Sequence, residues 1–237
     1  MSPPLQAVLF DAVGTLIQLR EPVGETYGRF AAAHGVRLPG SRIEDGFQRI
    51  FAKAPAMAFP GESAERVREL ERMWWHSRVR ETFRATDQTA RFADFDTFFD
   101  ALFAHYGGGD AWEPTPGAAS ALAELRSRGL RLAVASNFDH RLPSVLQALD
   151  LRSFFDLVWG PAEAGAAKPD PAFFTTLLAR LEVEPGATLH VGDDPVDDAS
   201  AARAAGLRVL TVEATATLAD LPARIASLDR DANPGEE

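Results

Sequence analysis

Residues 8–16 read VLFDAVGTL. The apolar run in this stretch stops at one acidic residue, Asp11, and a Gly–Thr pair follows three residues later. A short apolar run that is bounded by turn residues predicts a buried strand, here over residues 7–10. The stretch therefore predicts a carboxylate at the exposed end of a strand that lies inside a sheet.

Four further segments share the length and composition of this strand. They are rich in Val and Leu and mostly apolar at consecutive positions, as expected for parallel strands covered on both faces. They span residues 130–135, 155–158, 188–191 and 207–212. Helical patterns alternate with them at residues 116–128, 141–149, 171–181 and 198–205. This alternation predicts an α/β fold with a Rossmann-like, doubly wound parallel sheet.

Residues 19–109 break the alternation, because they contain four helical patterns and no convincing strand. The patterns cover residues 22–34, 41–53, 63–85 and 87–106. Ser41 and Glu44 match a capping box at the start of the second pattern. The sequence therefore predicts an α/β core of residues 1–18 and 110–237 with an inserted all-helical domain of residues 19–109.

The composition restricts the class of partner. A net charge of −10 argues against nucleic acid, because phosphate backbones are bound by clustered Lys and Arg. No apolar stretch has the length of a membrane span, and the N-terminus lacks the basic flank of a signal peptide. The absence of cysteine fits a reducing compartment, so we expect a cytoplasmic protein. The sequence assigns no oligomeric state.

Side chains that can carry chemistry follow the predicted strands. In an open parallel sheet, ligands bind beyond the carboxyl ends of the strands. Asp11 follows the first strand, and Ser136 and Asn137 follow the second. Four aspartates follow the fourth, namely Asp193, Asp194, Asp197 and Asp198. Lys168, one of two lysines in a chain with twenty-two arginines, stands in the loop AGAAKPDP.

This set of side chains matches the needs of phosphoryl transfer through a covalent intermediate. A carboxylate can attack phosphorus, and a hard cation such as Mg2+ must then bridge the approaching anions. A serine hydroxyl and a lysine ammonium can hold the remaining phosphoryl oxygens and offset their charge. Each feature alone has a simpler explanation in turn or helix-cap chemistry, so it is their joint order that indicates this reaction.

Four motifs occur in order along the chain: VLFDAVGT, VASN, a lone lysine in AKPDP, and HVGDDPVDD followed by AARAAG. Over nearly its whole length the sequence resembles the haloacid dehalogenase-like hydrolases, including a helical cap inserted after the first motif. The resemblance implies that Asp11 is the nucleophile and a Mg2+ ligand. It also implies that Ser136, with Asn137 beside it, binds the phosphoryl group, and that Lys168 neutralises charge near the nucleophile.

The resemblance further implies a metal site. Asp193 would hold Mg2+ together with the backbone carbonyl of Val13. The second acid of the last motif falls on Asp198 in the longer family spacing, GDxxxxD, and on Asp197 in the shorter GDxxxD. Asp198 is preferred, because the helix that continues to Gly206 then has the family's usual length.

Val13 departs from the phosphatases of the family, which carry a second Asp at this position. That Asp protonates the leaving oxygen and then activates the water that opens the aspartyl-phosphate. Val13 retains the carbonyl and lacks the acid, although a positioned acid–base group typically supplies about 10²–10⁴ in rate.

Three functions are therefore open. The first is a phosphatase that is slow or that uses another acid, for which Asp139 is the candidate. The second is a hydrolase that breaks a bond without help from an acid. The dehalogenases of the family, which carry Tyr at the position of Val13, are one example, and the phosphonatases, which use a lysine of the cap, are another. Lys53 is the only lysine in the predicted cap. The third is a non-catalytic relative that binds a phosphorylated ligand or a protein partner. We expect the first, a Mg2+-dependent hydrolase of a small phosphorylated compound, because the acidic GDDPVDD motif is retained.

Overall fold

The computed structural model describes residues 3–232, and a five-stranded parallel sheet lies at its centre. The strands among these residues are β1 (Ala7–Phe10), β2 (Ile17–Leu19), β3 (Trp112–Pro114), β4 (Arg131–Ala135), β5 (Leu157–Trp159), β6 (Thr188–Gly192) and β7 (Arg208–Thr211). The sheet order is β5–β4–β1–β6–β7, and Phe10 of β1 is in register with Val134 of β4 and Val191 of β6. The predicted doubly wound sheet is confirmed.

Ten α-helices occur within the described part of the chain. They are α1 (Val23–Ala33), α2 (Gly40–Phe51), α3 (Ala64–Thr86), α4 (Phe95–Tyr106), α5 (Ala118–Ser127), α6 (Leu142–Ala148), α7 (Pro161–Ala164), α8 (Pro171–Leu181), α9 (Ala201–Ala204) and α10 (Leu221–Ala232). In residues 3–232, none of the helices is both long enough and apolar enough to cross a membrane.

The described chain divides into two compact units. The first contains the residues up to Gln18, residues 58–61 and the residues from Glu113 onward, and it holds the five-stranded sheet. The second contains Leu19–Met57 and Glu62–Trp112, and it holds α1 to α4. Two of the four boundaries fall within β2 and β3, which form a two-stranded sheet. The sequence pattern missed these strands because three residues are too few to show a period.

The core of the first unit explains why its strands are apolar at consecutive positions. All four residues of β1 are fully buried, since helices cover both faces of the sheet. Leu9 packs with Ala133 of β4 and with Phe173 and Phe174 of α8 in one apolar cluster. This packing fixes the height at which β1 ends, and therefore the position of Asp11.

The core of the second unit is largely aromatic. Tyr27 of α1 stacks on Phe83 of α3 with ring centroids 6.3 Å apart, and Phe98 of α4 meets Phe83 edge-to-face at 5.3 Å. Such ring pairs add to the stability gained by burial alone. The aromatic residues of this unit therefore serve mainly to pack its four helices together.

Two predictions about helix starts are wrong. Pro39 occupies the N-cap position of α2, and Glu44 accepts a hydrogen bond from the backbone amide of Gly24 at 2.6 Å instead of completing a capping box with Ser41. The last predicted helix of the segment begins at Phe95 and not at residue 87, because the Asp94 side chain caps it there. In the first case a contact with a residue 20 positions away replaces the predicted capping box, and in the second a local side-chain cap sets the start of the helix.

We expect Ser63→Ala to lower the free energy of unfolding by about 1 kcal/mol, the usual value of an N-cap. The Ser63 hydroxyl accepts from the backbone amide of Arg66 at the start of α3. Ser41→Ala is the matched control and should change stability by less than about 0.5 kcal/mol, since Ser41 is exposed and caps no helix. Urea unfolding of the full chain measures both. Equal effects of the two substitutions would contradict the assignment of the caps.

Candidate functional site

Asp11 lies at the carboxyl end of the central strand. Its backbone amide donates to the carbonyl of Val191 at 2.9 Å, which continues the pairing of β1 with β6 one residue beyond the strand. Only 7% of the residue is exposed. Because β4 and β6 flank β1, the loop that contains Ser136 and the loop that contains Asp193 begin on either side of Asp11. Ser136 is buried, and its backbone amide donates to the carbonyl of Trp159.

Lys168 joins two of the predicted carboxylates. Its Nζ donates to Oδ1 of Asp11 at 2.7 Å and to Oδ1 of Asp198 at 2.5 Å. The lysine is 5% exposed. Burial alone would lower the pKa of Lys168, but the charges of the two carboxylates outweigh it and raise the pKa above its usual value. The ammonium is therefore charged and shared.

Asp198 receives more donors than any other carboxylate of the cluster. His190 Nε2 lies 2.9 Å from its Oδ1, and the backbone amide of Asp194 donates to its Oδ2 at 3.1 Å. Burial would raise the pKa of Asp198, but the hydrogen bond from His190 and the charge of Lys168 lower it to about 2. Asp198 is thus a permanent anion that holds the lysine.

His190 was not predicted as a site residue. It lies in β6, is completely buried, and has a lowered pKa, chiefly because burial disfavours the imidazolium. Since a carboxylate only accepts, the neutral ring must carry its proton on Nε2. Its signal in the sequence is one histidine inside the apolar strand TLHVG, which is also typical of a packed core residue.

Asp193 completes an acidic cluster. One carboxylate oxygen of each of Asp11, Asp193 and Asp198 lies within 4.8 Å of the others. The Thr15 hydroxyl donates to Oδ1 of Asp193 at 2.9 Å. Burial, and then the neighbouring carboxylates, raise the pKa of Asp193 despite the hydrogen bond from Thr15. Burial and the charge of Asp198 raise the pKa of Asp11, although the charge and the hydrogen bond of Lys168 act in the opposite direction. The protein therefore leaves the negative charges of Asp11 and Asp193 only partly balanced.

Two glycines make room for these carboxylates. A Cβ at Gly14, whose φ is +93°, would lie 2.5 Å from Oδ2 of Asp193. A Cβ at Gly192 would overlap the carboxylate of Asp198. Close approach therefore requires a glycine at both positions, and the backbone conformation of Gly14 requires it as well.

Asn137 and Asp197 are placed differently from the acidic cluster. The Asn137 amide donates to the carbonyl of Lys168 at 2.9 Å and accepts from its backbone amide at 2.8 Å. It also donates to Asp197 at 3.3 Å. Asn137 therefore clamps the lysine loop, and Asp197 joins this clamp rather than the acidic cluster, which contains Asp198.

The last motif forms a π-helical turn over Pro195–Ser200 before α9. The Asp194 side chain caps it by accepting from the backbone amides of Val196 and Asp197 at 2.7 Å. The helical segment therefore begins at Pro195, three residues before the predicted start at residue 198, and its first turn is wider than that of an α-helix. Single π-helical turns are frequent at functional sites.

Position 13 and Asp139 are the two places from which an acid could protonate the leaving group. The side chain of Val13 is 39% exposed, so this position is open. Asp139 is bound by its neighbour Arg141, whose guanidinium donates to both carboxylate oxygens at 2.8 and 2.6 Å. Burial would raise the pKa of Asp139, but the contacts with Arg141 lower it. An ionised carboxylate cannot donate a proton at neutral pH.

The sequence profile of the haloacid dehalogenase-like hydrolases matches residues 5–206. The chain belongs to this family. It is 36% identical over 208 residues to haloacid dehalogenase-like hydrolase domain-containing protein 3 of Mus musculus, covering 88% of this chain and 82% of the relative. It is 30% identical to a phosphoserine phosphatase of Thermus thermophilus, with 88% and 89% of the two chains covered.

A solved structure supports the fold of this hydrolase. A defluorinating L-2-haloacid dehalogenase superposes with a TM-score of 0.70 over 94% of this chain and 95% of its own, at 18% identity. At this identity the likeness concerns the fold alone. The recognition of the family and of its architecture from sequence is confirmed.

We expect His190→Leu to destabilise the hydrolase by about 1–3 kcal/mol, because it removes a donor from the buried, charged Asp198. His190→Gln should recover more than half of this loss, since its amide can donate from a similar position. Urea unfolding at pH 7.5 measures the difference. If the Leu variant is as stable as the native protein, Lys168 and the Asp194 amide are sufficient to hold Asp198.

Proposed function

We propose that this hydrolase is a Mg2+-dependent phosphatase that acts on a small phosphorylated compound through an aspartyl-phosphate on Asp11. The observation that carries the proposal is the Lys168 ammonium, which is buried between Asp11 and Asp198 beside the third acid, Asp193. A carboxylate nucleophile, a fixed positive charge and an acidic cluster are the parts that phosphoryl transfer requires. The name of the Thermus relative, a phosphoserine phosphatase, agrees with this reaction class.

The charge of the cluster fits a divalent cation. Three carboxylates and one ammonium leave two negative charges, because His190 is neutral. Mg2+ prefers oxygen ligands and is usually held by one or two carboxylates and several waters. The raised pKa values of Asp11 and Asp193 mark these two as the acids that a cation would stabilise.

Asp11, Asp193 and the Val13 carbonyl are the groups we assign to the metal. Asp198 contributes as well, but in a different way. Its two oxygens already accept from Lys168, His190 and the Asp194 amide, which leaves about one of its roughly four acceptor positions. That position on Oδ2 suits the cation or a water bound to it. Bound Mg2+ would screen the repulsion between nucleophile and phosphate.

The reaction then proceeds in two displacements. The Asp11 carboxylate attacks phosphorus, and the bond between phosphorus and the leaving oxygen breaks. Lys168 holds Asp11 in place and offsets the charge of the phosphoryl oxygens, and Ser136 donates to one of them. Water next attacks the aspartyl-phosphate, the bond from phosphorus to Asp11 breaks, and inorganic phosphate leaves with the proton of the water passing to phosphate or solvent.

Neither of the two candidate positions, residue 13 or residue 139, supplies a proton to the leaving oxygen. Val13 cannot exchange a proton, and Asp139 is held ionised by Arg141. The leaving oxygen must therefore depart with its charge or take a proton from solvent. A site without a positioned acid supports a slow phosphatase that favours good leaving groups.

The other hydrolase alternatives have less support. A lysine that forms a Schiff base is usually desolvated, whereas Lys53 is exposed just beyond α2. The acidic cluster disfavours a dehalogenase, which needs no metal. A binding protein without activity stays the second candidate, because it requires the same cluster and no acid at Val13.

We expect Mg2+ at millimolar concentration to raise the melting temperature, because the folded chain alone has the assembled site. The stabilisation is about 2.7 kcal/mol when the concentration is 100 times Kd. Asp193→Asn should abolish most of it. Asp194→Asn is the matched control, since Asn can still cap the π-helical turn and Asp194 lies outside the acidic cluster. No stabilisation of the native protein by Mg2+ would overturn the metal assignment.

We expect measurable hydrolysis of p-nitrophenyl phosphate and much slower hydrolysis of alkyl phosphates, because an unassisted leaving group must have a low pKa. Val13→Asp should raise alkyl phosphate turnover by roughly ten-fold or more. Val13→Asn, which has the same shape without an acid, should not, and Asp11→Asn should abolish activity towards both substrates. Steady-state rates measure these effects. If no phosphoester reacts with either protein although Mg2+ binds, the binding function takes precedence.

A further inference from the structure

The second unit contains a cavity of about 490 Å³ that the proposed phosphatase chemistry does not use. It lies between the C-terminal half of α3, the segment of residues 87–94 and the start of α4. Its principal lining residues are Arg80, Arg84, Arg91, Phe83, Phe92 and Phe95. We call this cavity the arginine pocket. Cavities of this size accommodate small organic ligands.

The arginines of the pocket are poorly neutralised. Among the described residues, none accepts a hydrogen bond from the Arg84 guanidinium, and Arg91 donates only to the carbonyls of Gln88 and Ala90 in its own segment. Arg80 is the exception, with Asp96 at 3.5 Å. No carboxylate belongs to the described lining. Two arginines without an acidic partner among the described residues, Arg84 and Arg91, therefore line one cavity in a chain whose net charge is −10.

The phenylalanines give the pocket fixed apolar walls. Phe92 meets Phe83 edge-to-face at 5.0 Å and Phe95 edge-to-face at 5.3 Å. Phe83 is almost completely buried, and Phe92 also stacks on the buried Phe98 at 4.5 Å. The walls are thus an extension of the helical core and are already formed without a ligand.

Arg80 contacts one of the phenylalanine walls of the pocket. The Arg80 guanidinium lies 4.4 Å from the centroid of the Phe95 ring, in a cation–π contact. A planar group in the pocket could stack in the same manner on a ring or on a guanidinium, while an acidic group paired with Arg84 or Arg91. Arginine is suited to both contacts, because it binds carboxylates and phosphates in a fork and stacks on flat apolar surfaces.

We propose that the arginine pocket binds an organic anion that combines a planar apolar body with one acidic group, such as an aromatic carboxylate, sulfonate or phosphate. The acidic group supplies the negative partner that Arg84 and Arg91 lack, and the planar body covers the exposed part of the half-buried Phe92. The site belongs to the second unit alone, so it is independent of the phosphatase proposal.

A fluorescent probe of this chemistry is 1-anilinonaphthalene-8-sulfonate, and N-phenyl-1-naphthylamine is its neutral counterpart without the sulfonate. Fluorescence titration of the full chain, with calorimetry for the stoichiometry, should show one site for the sulfonate. The neutral probe should bind at least about ten-fold more weakly, because charge-assisted contacts are lost.

Variants assign the site. The double variant Arg84→Gln, Arg91→Gln should weaken binding of the sulfonate at least about ten-fold. Arg68→Gln is the matched control, since it removes an exposed arginine from the same helix outside the pocket and should change the affinity by less than about two-fold. Asp11→Asn should leave the affinity unchanged. Arg84→Lys with Arg91→Lys, which retains both charges, should bind more tightly than the glutamine variant.

Two results would overturn the proposal. One is equal affinity of the native protein and the double glutamine variant for the sulfonate, with both folded by circular dichroism. The other is equal affinity of the native protein for the charged and the neutral probe, which would indicate an apolar surface without anion recognition. Neither result bears on the phosphatase proposal, which is tested by Mg2+ binding and turnover.

Discussion

The Lys168 ammonium, buried between Asp11 and Asp198, is the interaction on which the candidate site depends. A buried charge is stable only when it is paired and fully hydrogen-bonded. The sheet order satisfies this condition, because β4, β1 and β6 are neighbours and their carboxyl ends meet at one edge. Asn137 then fixes the height of the lysine loop by exchanging two hydrogen bonds with its backbone. Parallel strand pairing and the two hydrogen bonds of Asn137 are thus sufficient to place a buried ammonium between two carboxylates.

The same interaction divides the acids into two kinds. Asp198 is compensated by protein donors, and its pKa is lowered to about 2, so it acts as a fixed anion. Asp11 and Asp193 are under-compensated and have raised pKa values, chiefly through burial. Negative charge that the protein leaves uncompensated is available to a bound cation. The neutral His190 adds to this difference between Asp198 and the other two acids, because it donates to Asp198 without adding positive charge to the cluster.

The sequence predicted the fold and most of the positions that the structure brings together, because strand ends in a parallel sheet share one edge. Asp11, Lys168 and the aspartates of the last motif could be identified in this way. His190 could not, since its apolar strand predicts only burial, and the partner of a buried imidazole depends on tertiary contacts. The roles of Asn137 and Glu44 were also beyond sequence, because each bonds a backbone group that the fold brings near from 31 or 20 residues away.

Val13 shows why an intact acidic cluster does not determine the rate of a reaction. The cation ligand that we propose at this position is a backbone carbonyl, which any residue supplies, whereas proton transfer requires a specific side chain. Lys168 donates to Asp11 and Asp198, and His190 donates to Asp198. Residue 13 takes part in none of these hydrogen bonds, so its replacement removes none of them. Binding and proton transfer are therefore separable in this architecture. In the phosphatase that we propose, a valine at position 13 leaves charge recognition in place and confines the reaction to bonds that break without help from an acid.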